Sequence, residues 1–393
     1  MQLVVVYAQE APPEVYHGSI FLAGPTARDA DTPSWRPEAL RLIEERLASF
    51  EGDLVVFVPE PRSGVFADYS GQIEWEFRHM SSADVLLFWV PRDMGSLPGL
   101  TTNVEFGRFE NSGRLVLGAP PEGEHVKYLQ SFASAYAAPV CATLDASVEA
   151  AGAMLGAGSR RSGYECQVPL IIWTTPTFQA WYNALLGAGN RFLGGRTEYV
   201  RRIKSDGQAP AVFSWIFRPR VWITAEDRIK ENEPLFARPD VAAVVAYRRG
   251  NTMLNSQVVL VREFRSTGLS ADGYVHELPG GSSRRPMPAH LLAAAELSEE
   301  TGLTIDPTRL RAVGIRQPAA TVSAHRQAVF GLELNDDEMA ALRADQGQHG
   351  NAPEGERTYI EIVTWGEALS RSDIDWTTMG AIAAVLLPLE SRR

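Results

Sequence analysis

Residues 277–303 read ELPGGSSRRPMPAHLLAAAELSEETGL. Pro288 to Thr301 predicts a helix, with Leu291, Leu292 and Leu297 spaced for one buried side. Glu296, Glu299 and Glu300 stand at i, i+3 and i+4, so one helical face is expected to carry all three carboxylates. Carboxylates that close repel one another, and solvation alone gives no reason to collect them. A hard cation such as Mg²⁺ or Mn²⁺ would neutralise the group. Gly302 is placed to end the helix. The same three Glu also read as the charged side of an ordinary helix. The flanking residues, ELPGG before and Glu-Glu-Thr-Gly-Leu after, favour the cation.

With those flanks the stretch resembles a Nudix box, G-x5-E-x7-R-E-U-x-E-E-x-G-U, where U is a bulky apolar residue. Setting Gly281 on the first Gly puts Glu296, Leu297, Glu299, Glu300, Gly302 and Leu303 on the pattern. Met287 replaces its first Glu and Ala295 its Arg. The resemblance implies that Glu296, Glu299 and Glu300 hold Mg²⁺ or Mn²⁺, with Glu296 also catalytic. It implies too that the side chains supporting them are thinned, a loss that typically costs about 10–100-fold.

The chain has 393 residues, 45% hydrophobic and 22% charged, which suits two or three domains. A net charge of −11 and the lack of a basic run argue against a nucleic-acid partner. Cys141 and Cys166 have no metal-binding spacing, and reduced thiols are expected. The opening MQLVVVY lacks the basic head and cleavage site of a leader. No apolar run reaches the roughly 18 residues of a span. The expectation is a cytoplasmic protein with no membrane partner.

Residues 1–157 alternate strands and helices. Strands are expected at Ser19 to Ala23, 54–60, 83–91 and 114–120. Helices are expected at about 34–49, 72–80 and 102–111, then on to about Leu155. This α/β alternation predicts a flavodoxin- or Rossmann-like parallel sheet, with ligands at the carboxyl ends of the strands. Thr102-x-x-Glu105 reads by itself as a capping box.

FLAGP (21–25), SWRPEAL (34–40), PEP (59–61), QIEWE (72–76), SSADVLLFWVP (81–91) and PGLTTNVEFG (98–107) together resemble the nucleoside 2-deoxyribosyltransferase-like family. The arrangement is most similar to its nucleotide N-glycosidase branch. The resemblance implies that Glu105 is the nucleophile, in the first turn of a helix whose positive end keeps it ionised. It also implies a carboxylate role for Asp84 against sugar or base. Gly24 and Pro25 end the first strand either in a simple turn or where a sugar or phosphate would approach, and Arg28 and Arg36 are either candidates for a 5′-phosphate or a solvated surface pair. Glu76 and Trp75 either approach the pocket or cap and pack a helix. Transferases of the family tend to carry an Asp a few residues before the nucleophile. Here that place reads Leu97-Pro98-Gly99, which favours hydrolysis over transfer. Relatives commonly assemble, so a homodimer is expected.

Residues 158–220 are expected to connect the two halves, beginning with the small, polar and basic GAGSRRSGYECQ (156–167) as a linker. VPLIIW (168–173) reads as a short strand before a helix bearing Phe178, Trp181 and Tyr182. Trp173, Trp181 and Tyr182 suit packing better than base stacking. Residues 221–393 read as an α+β domain, with strands at 241–247 and 257–265 joined by a hairpin loop. VVLVREFR and VHELPGG resemble the ADP-ribose and nucleotide-sugar branch of Nudix hydrolases. That implies Arg262 and Arg265 for a diphosphate, Glu277 for substrate or metal, and Glu354 or Glu356 for the water. The whole reading is a bifunctional nucleotide-processing hydrolase acting on a small-molecule nucleotide. Its alternative is a single N-glycosidase regulated by a nucleotide-sensing Nudix domain.

Overall fold

The computed structural model describes residues 1–27, 31–62, 71–203, 211–283, 287–352 and 355–390. It divides into two compact units, Met1–Arg238 and Pro239–Arg393.

The first unit is built on β1 (Gln2–Tyr7), β2 (Val15–Tyr16), β3 (Gly18–Ala23), α1 (Arg36–Arg46), β4 (Asp53–Val58), α2 (Gln72–Ser82), β5 (Val85–Trp89), α3 (Leu100–Phe109), β6 (Leu115–Gly118), α4 (Lys127–Ala135), β7 (Val140–Cys141) and α5 (Leu144–Leu155). Six strands form one parallel sheet in the order β1-β4-β3-β5-β6-β7. β3 and β5 are buried at every residue, as strands covered on both faces must be. Phe21, Phe57, Leu86 and Phe88 pack with Met80, Phe106 and Leu129 of α2, α3 and α4. α1 and α5 lie together, with α5 against β5 and β6. The sheet fits the Rossmann-like expectation, and β1 and β7 extend it beyond the four expected strands.

The stretch read as a linker belongs to this unit. β8 (Arg161–Ser162) pairs with β2. VPLIIW does not form a strand: Leu170–Trp173 is a helical turn, α6, ahead of α7 (Pro176–Gly187). β9 (Arg191–Ile203) and β10 (Ala211–Ile223) pair as a long antiparallel ribbon, joined by β11 (Arg228–Lys230) and β12 (Leu235–Ala237). Phe178 contacts Trp173, Trp181, Tyr182, Phe192, Trp215 and Phe217, so these aromatics are a packing core.

The second unit comprises β13 (Val241–Arg248), β14 (Gln257–Phe264), β15 (Tyr274–Glu277), β16 (Gly280–Gly281), α8 (Ala289–Thr301), β17 (Arg311–Arg316), β18 (Gln327–Glu333), α9 (Asp336–Ala344), β19 (Thr358–Thr364), α10 (Trp365–Ala368) and α11 (Trp376–Glu390). Its seven-stranded sheet is mostly antiparallel, with β13 and β18 the parallel pair. Alternate residues of β13 serve two cores. Ala242, Val244 and Ala246 pack with Leu292 and Leu297 of α8 and Met339 of α9, whereas Ala243, Val245 and Tyr247 pack with Ile382, Val385 and Leu386 of α11. Leu291, expected on the buried side of α8, is exposed. No helix among the described residues is long and apolar enough to cross a membrane.

Candidate functional site

At the carboxyl ends of the N-terminal sheet the chain leaves β3 toward β4 on one side and leaves neighbouring β5 toward β6 on the other. Such a reversal opens a crevice in α/β sheets. Gly24 adopts φ 146°, and a Cβ there would lie 2.1 Å from the Trp89 carbonyl oxygen, so only glycine allows this approach.

Arg36, 1% exposed, anchors the β3 end of the crevice. Its guanidinium donates to the carbonyls of Leu22 at 3.2 Å and Gly24 at 2.9 Å, to Thr26 Oγ1 at 3.2 Å and to the Glu60 carboxylate. Glu60 also accepts from Ser34 Oγ at 2.9 and 3.0 Å. Arg36 therefore braces the loop, a task different from both the phosphate clamp and the solvated surface pair that its sequence allows. The Pro25 carbonyl accepts from Trp35 Nε1 at 3.1 Å. Arg28 lies outside the described residues.

Glu105 lies on α3, which begins at Leu100 after Gly99. It is thus the sixth helical residue and not in the first turn, and the capping-box geometry does not form. Burial first, then the charge of Glu76, pushes its carboxyl up to about 7, against a lowering by Arg36. The expectation of a carboxylate kept ionised by the helix end is corrected: burial outweighs the dipole, which fades beyond the first turn. Glu76 is itself raised, again mainly by burial, although Gln72 Nε2 donates to it at 2.8 Å. Trp75 packs against Phe21, Phe57 and His79 and takes a structural part.

Asp84 is not in this crevice. It precedes β5, at the amino end of the sheet, a five-residue strand and hence roughly 17 Å from the end where Trp89 lies. Its oxygens accept from Arg161 Nη1 at 2.8 Å and Nη2 at 2.6 Å, from Ser19 Oγ at 2.9 Å and from the Leu170 N–H at 2.7 Å. Both side chains of the ion pair are essentially inaccessible, at 0% and 1%. Asp84 therefore fastens β8 and α6 to the sheet.

In the second unit the three α8 carboxylates differ in exposure. Glu299 is exposed, Glu296 is half-buried, and Glu300 is buried, accepting the Gly280 N–H at 2.9 Å. Burial holds Glu300 well above the usual carboxylate range. The Gly280 N–H offsets part of this, and the charges of Glu296 and Glu263 add to it. A Cβ on Gly281 would stand 2.6 Å from Glu296 Cδ, so the box glycine leaves room for that carboxyl. Arg265 bonds Glu277 through Nε and Nη2, each at 3.1 Å, and reaches Glu263 at 2.9 Å. Among the described residues no group of three or more His, Cys, Asp and Glu is placed to hold a metal ion. The oxygen donors suit Mg²⁺ or Mn²⁺ in type, but as arranged they do not fit one.

Arg262 and Arg265 do not form a common clamp. Strand alternation puts Arg262 on the face of its register partners His276 and Tyr359 and Glu263 on the other, and Arg265, just beyond β14, bonds Glu263 and Glu277. Arg262 lies 4.0 Å over the Tyr274 ring and bridges to Asp272 at 3.0 Å. It lines a cavity of about 470 Å³ with His276, Tyr359 and Glu361. Glu356 acts electrostatically on Glu263, and Glu354 lies outside the described residues.

Arg36, Glu60, Glu76 and Glu105 all belong to one continuous stretch of the first unit. Residues 17–122 match the model of the nucleoside 2-deoxyribosyltransferase like family. The match indicates an enzyme acting on nucleosides by glycosyl transfer or N-glycosidic cleavage. No curated protein matches the chain. Glu60 and Arg92 also belong to this end, although neither is a candidate site residue by sequence. Arg92 donates to the carbonyls of His125 at 3.0 Å and Gly99 at 3.4 Å and to Asn103 Oδ1 at 2.5 Å, bracing the entry to α3. Glu60 had a signal, the PEP at 59–61; Arg92 had none in the local pattern.

Proposed function

We propose that the N-terminal unit cleaves the N-glycosidic bond of a nucleoside or nucleoside monophosphate, with Glu105 as nucleophile. The observation that carries this reading is a carboxyl raised to about 7 at the mouth of the reversed strands, inside the family-matched residues. Near neutral pH a substantial fraction of Glu105 is ionised. The carboxylate attacks the anomeric carbon, the C–N bond breaks, and its electron pair leaves with the base, which takes up a proton. Water then attacks the same carbon, gives its proton to solvent, and releases Glu105 as a carboxylate. Arg36 and Glu76 act indirectly. Arg36 favours the ionised form of Glu105 and Glu76 the protonated one.

The test is chromatography of free base released from a panel of nucleosides and nucleoside monophosphates by the intact chain and by Glu105→Ala. Base release by the intact chain and its loss in the variant are expected. Equal release by both proteins would remove Glu105 from the mechanism.

For the C-terminal unit the favoured reading is a Nudix-like module that binds a nucleotide and regulates its neighbour. The burial of Glu300 on the Gly280 N–H, and the Arg265 pairing, favour it over diphosphate hydrolysis by metal on Glu296, Glu299 and Glu300. ADP-ribose and nucleoside diphosphate sugars, offered with Mn²⁺, are expected to yield no monophosphate above a Glu299→Gln control. Turnover abolished by that variant would restore the bifunctional reading.

A further inference from the structure

The acidic group of the second unit raises a physical question of its own. Glu263 and Glu300 are 7% and 5% exposed, and Glu277 extends from the adjoining strand. Carboxylates drawn out of water need a positive partner or a proton. Among the described residues the cation placed there is Arg265. Its planar fork meets both oxygens of Glu277 at 3.1 Å, and its Nη2 lies 2.9 Å from Glu263 Oε2. Arg265 stands just past the end of β14 and reaches Glu263 of that strand, and the β14–β15 register brings Glu277 onto the Glu263 side. The helix contributes no cation of its own at 295, which is Ala.

We infer that the Arg265 guanidinium is the resident counter-ion of this carboxylate group and takes the place a divalent cation would fill, so that the C-terminal unit holds its acidic side chains together without bound metal. The arrangement is bistable in principle. A guanidinium and a divalent ion compete for the same oxygens, and the guanidinium is covalently tethered at the site. The inference concerns the second unit alone, so its failure would leave the Glu105 reading standing.

The experiment uses the full chain stripped with chelator. Mn²⁺ binding is followed by the electron paramagnetic resonance of free Mn²⁺, and the thermal midpoint is measured with chelator and with millimolar Mg²⁺. The native protein is expected to bind Mn²⁺ no more tightly than millimolar and to melt at the same temperature in both buffers. Arg265→Gln is expected to lower the midpoint by about 2–4 °C and to tighten Mn²⁺ binding by about tenfold or more. Mg²⁺ should restore the lost midpoint, and adding Glu277→Gln should remove the gained affinity. Micromolar Mn²⁺ binding by the native chain, with a midpoint raised by Mg²⁺, would overturn the inference. So would an Arg265→Gln protein that neither melts earlier nor gains affinity. Should that variant fail to fold, the native titration still decides, and Arg265→Lys, which keeps the charge without the fork, is expected to stay metal-independent.

Discussion

The two ends of the N-terminal sheet carry the same kinds of side chain and treat them in opposite ways. At the amino end Asp84 is satisfied by Arg161, Ser19 and the Leu170 N–H, so both charges are buried and matched. At the carboxyl end Arg36 bonds Glu60 and backbone carbonyls, while Glu105 and Glu76 are half-buried, act on one another electrostatically, and are both raised. A saturated carboxylate holds a fold together. One whose ionisation is opposed by burial and by a like charge is primed to react. Arg265 with Glu277 resembles the first case, on a different sheet, whereas Glu263 beside them is raised by burial and by its acidic neighbours.

The comparison breaks most sharply at the nucleophile. Glu105→Gln is expected to lower base release by at least about 10³-fold while leaving the circular dichroism unchanged. Rapid quench with a labelled nucleotide should find a glycosyl-enzyme in the native protein and none in the variant. Next in size, Asp84→Ala strands Arg161 in the interior and should cost about 3–5 kcal/mol in urea unfolding. Activity per folded molecule should survive. A parallel loss of turnover at full folding would put Asp84 in the reaction after all. Asp84→Leu combined with Arg161→Met is expected to recover much of that stability, since an apolar pair leaves no charge behind.

Smaller effects test the carboxyl end by pH. Base release should rise as Glu105 ionises, with its acid limb near 7. Glu76→Gln should move that limb to lower pH, though not to the ordinary carboxylate value, because burial is the larger cause. A limb that stays in place would mean the two groups are uncoupled. Stability gives the reciprocal reading. The folded protein holds the Glu105 proton more tightly than the unfolded chain, so stability falls as pH rises from the ordinary carboxylate range through about 7. Glu105→Gln should therefore raise the midpoint by about 2–4 °C at pH 8 and leave it unchanged at pH 4.

Much of the architecture was legible along the chain. The buried runs at 19–23 and 83–91 gave central strands, and the helix at Pro288–Thr301 lies within one residue of α8. Two misreadings share one cause. GAGSRRSGYECQ has a linker's composition, yet Arg161 within it is buried on Asp84, 77 residues earlier. VPLIIW has a strand's composition, yet its backbone turns helical after Pro169, where the Leu170 N–H reaches the same Asp84. A partner that remote leaves no local trace. The start of α3 was misplaced because Thr102 and Glu105 satisfy a capping pattern. The chain instead enters the helix at Leu100, from Gly99 in left-handed conformation.

The chain read alone yields the period of the long apolar elements, the α/β alternation, the family likeness of residues 17–122, and the placement of Glu105 and the three α8 glutamates on helices. Those properties follow from apolar residues repeating at two or at 3.6, a local matter that burial reads directly. Which carboxylate meets which cation emerges only in the folded chain: Asp84 with Arg161, Glu277 with Arg265, Glu60 with Arg36. Pairing energy depends on distance and on how much water is excluded, and both are set by chain segments far apart in sequence.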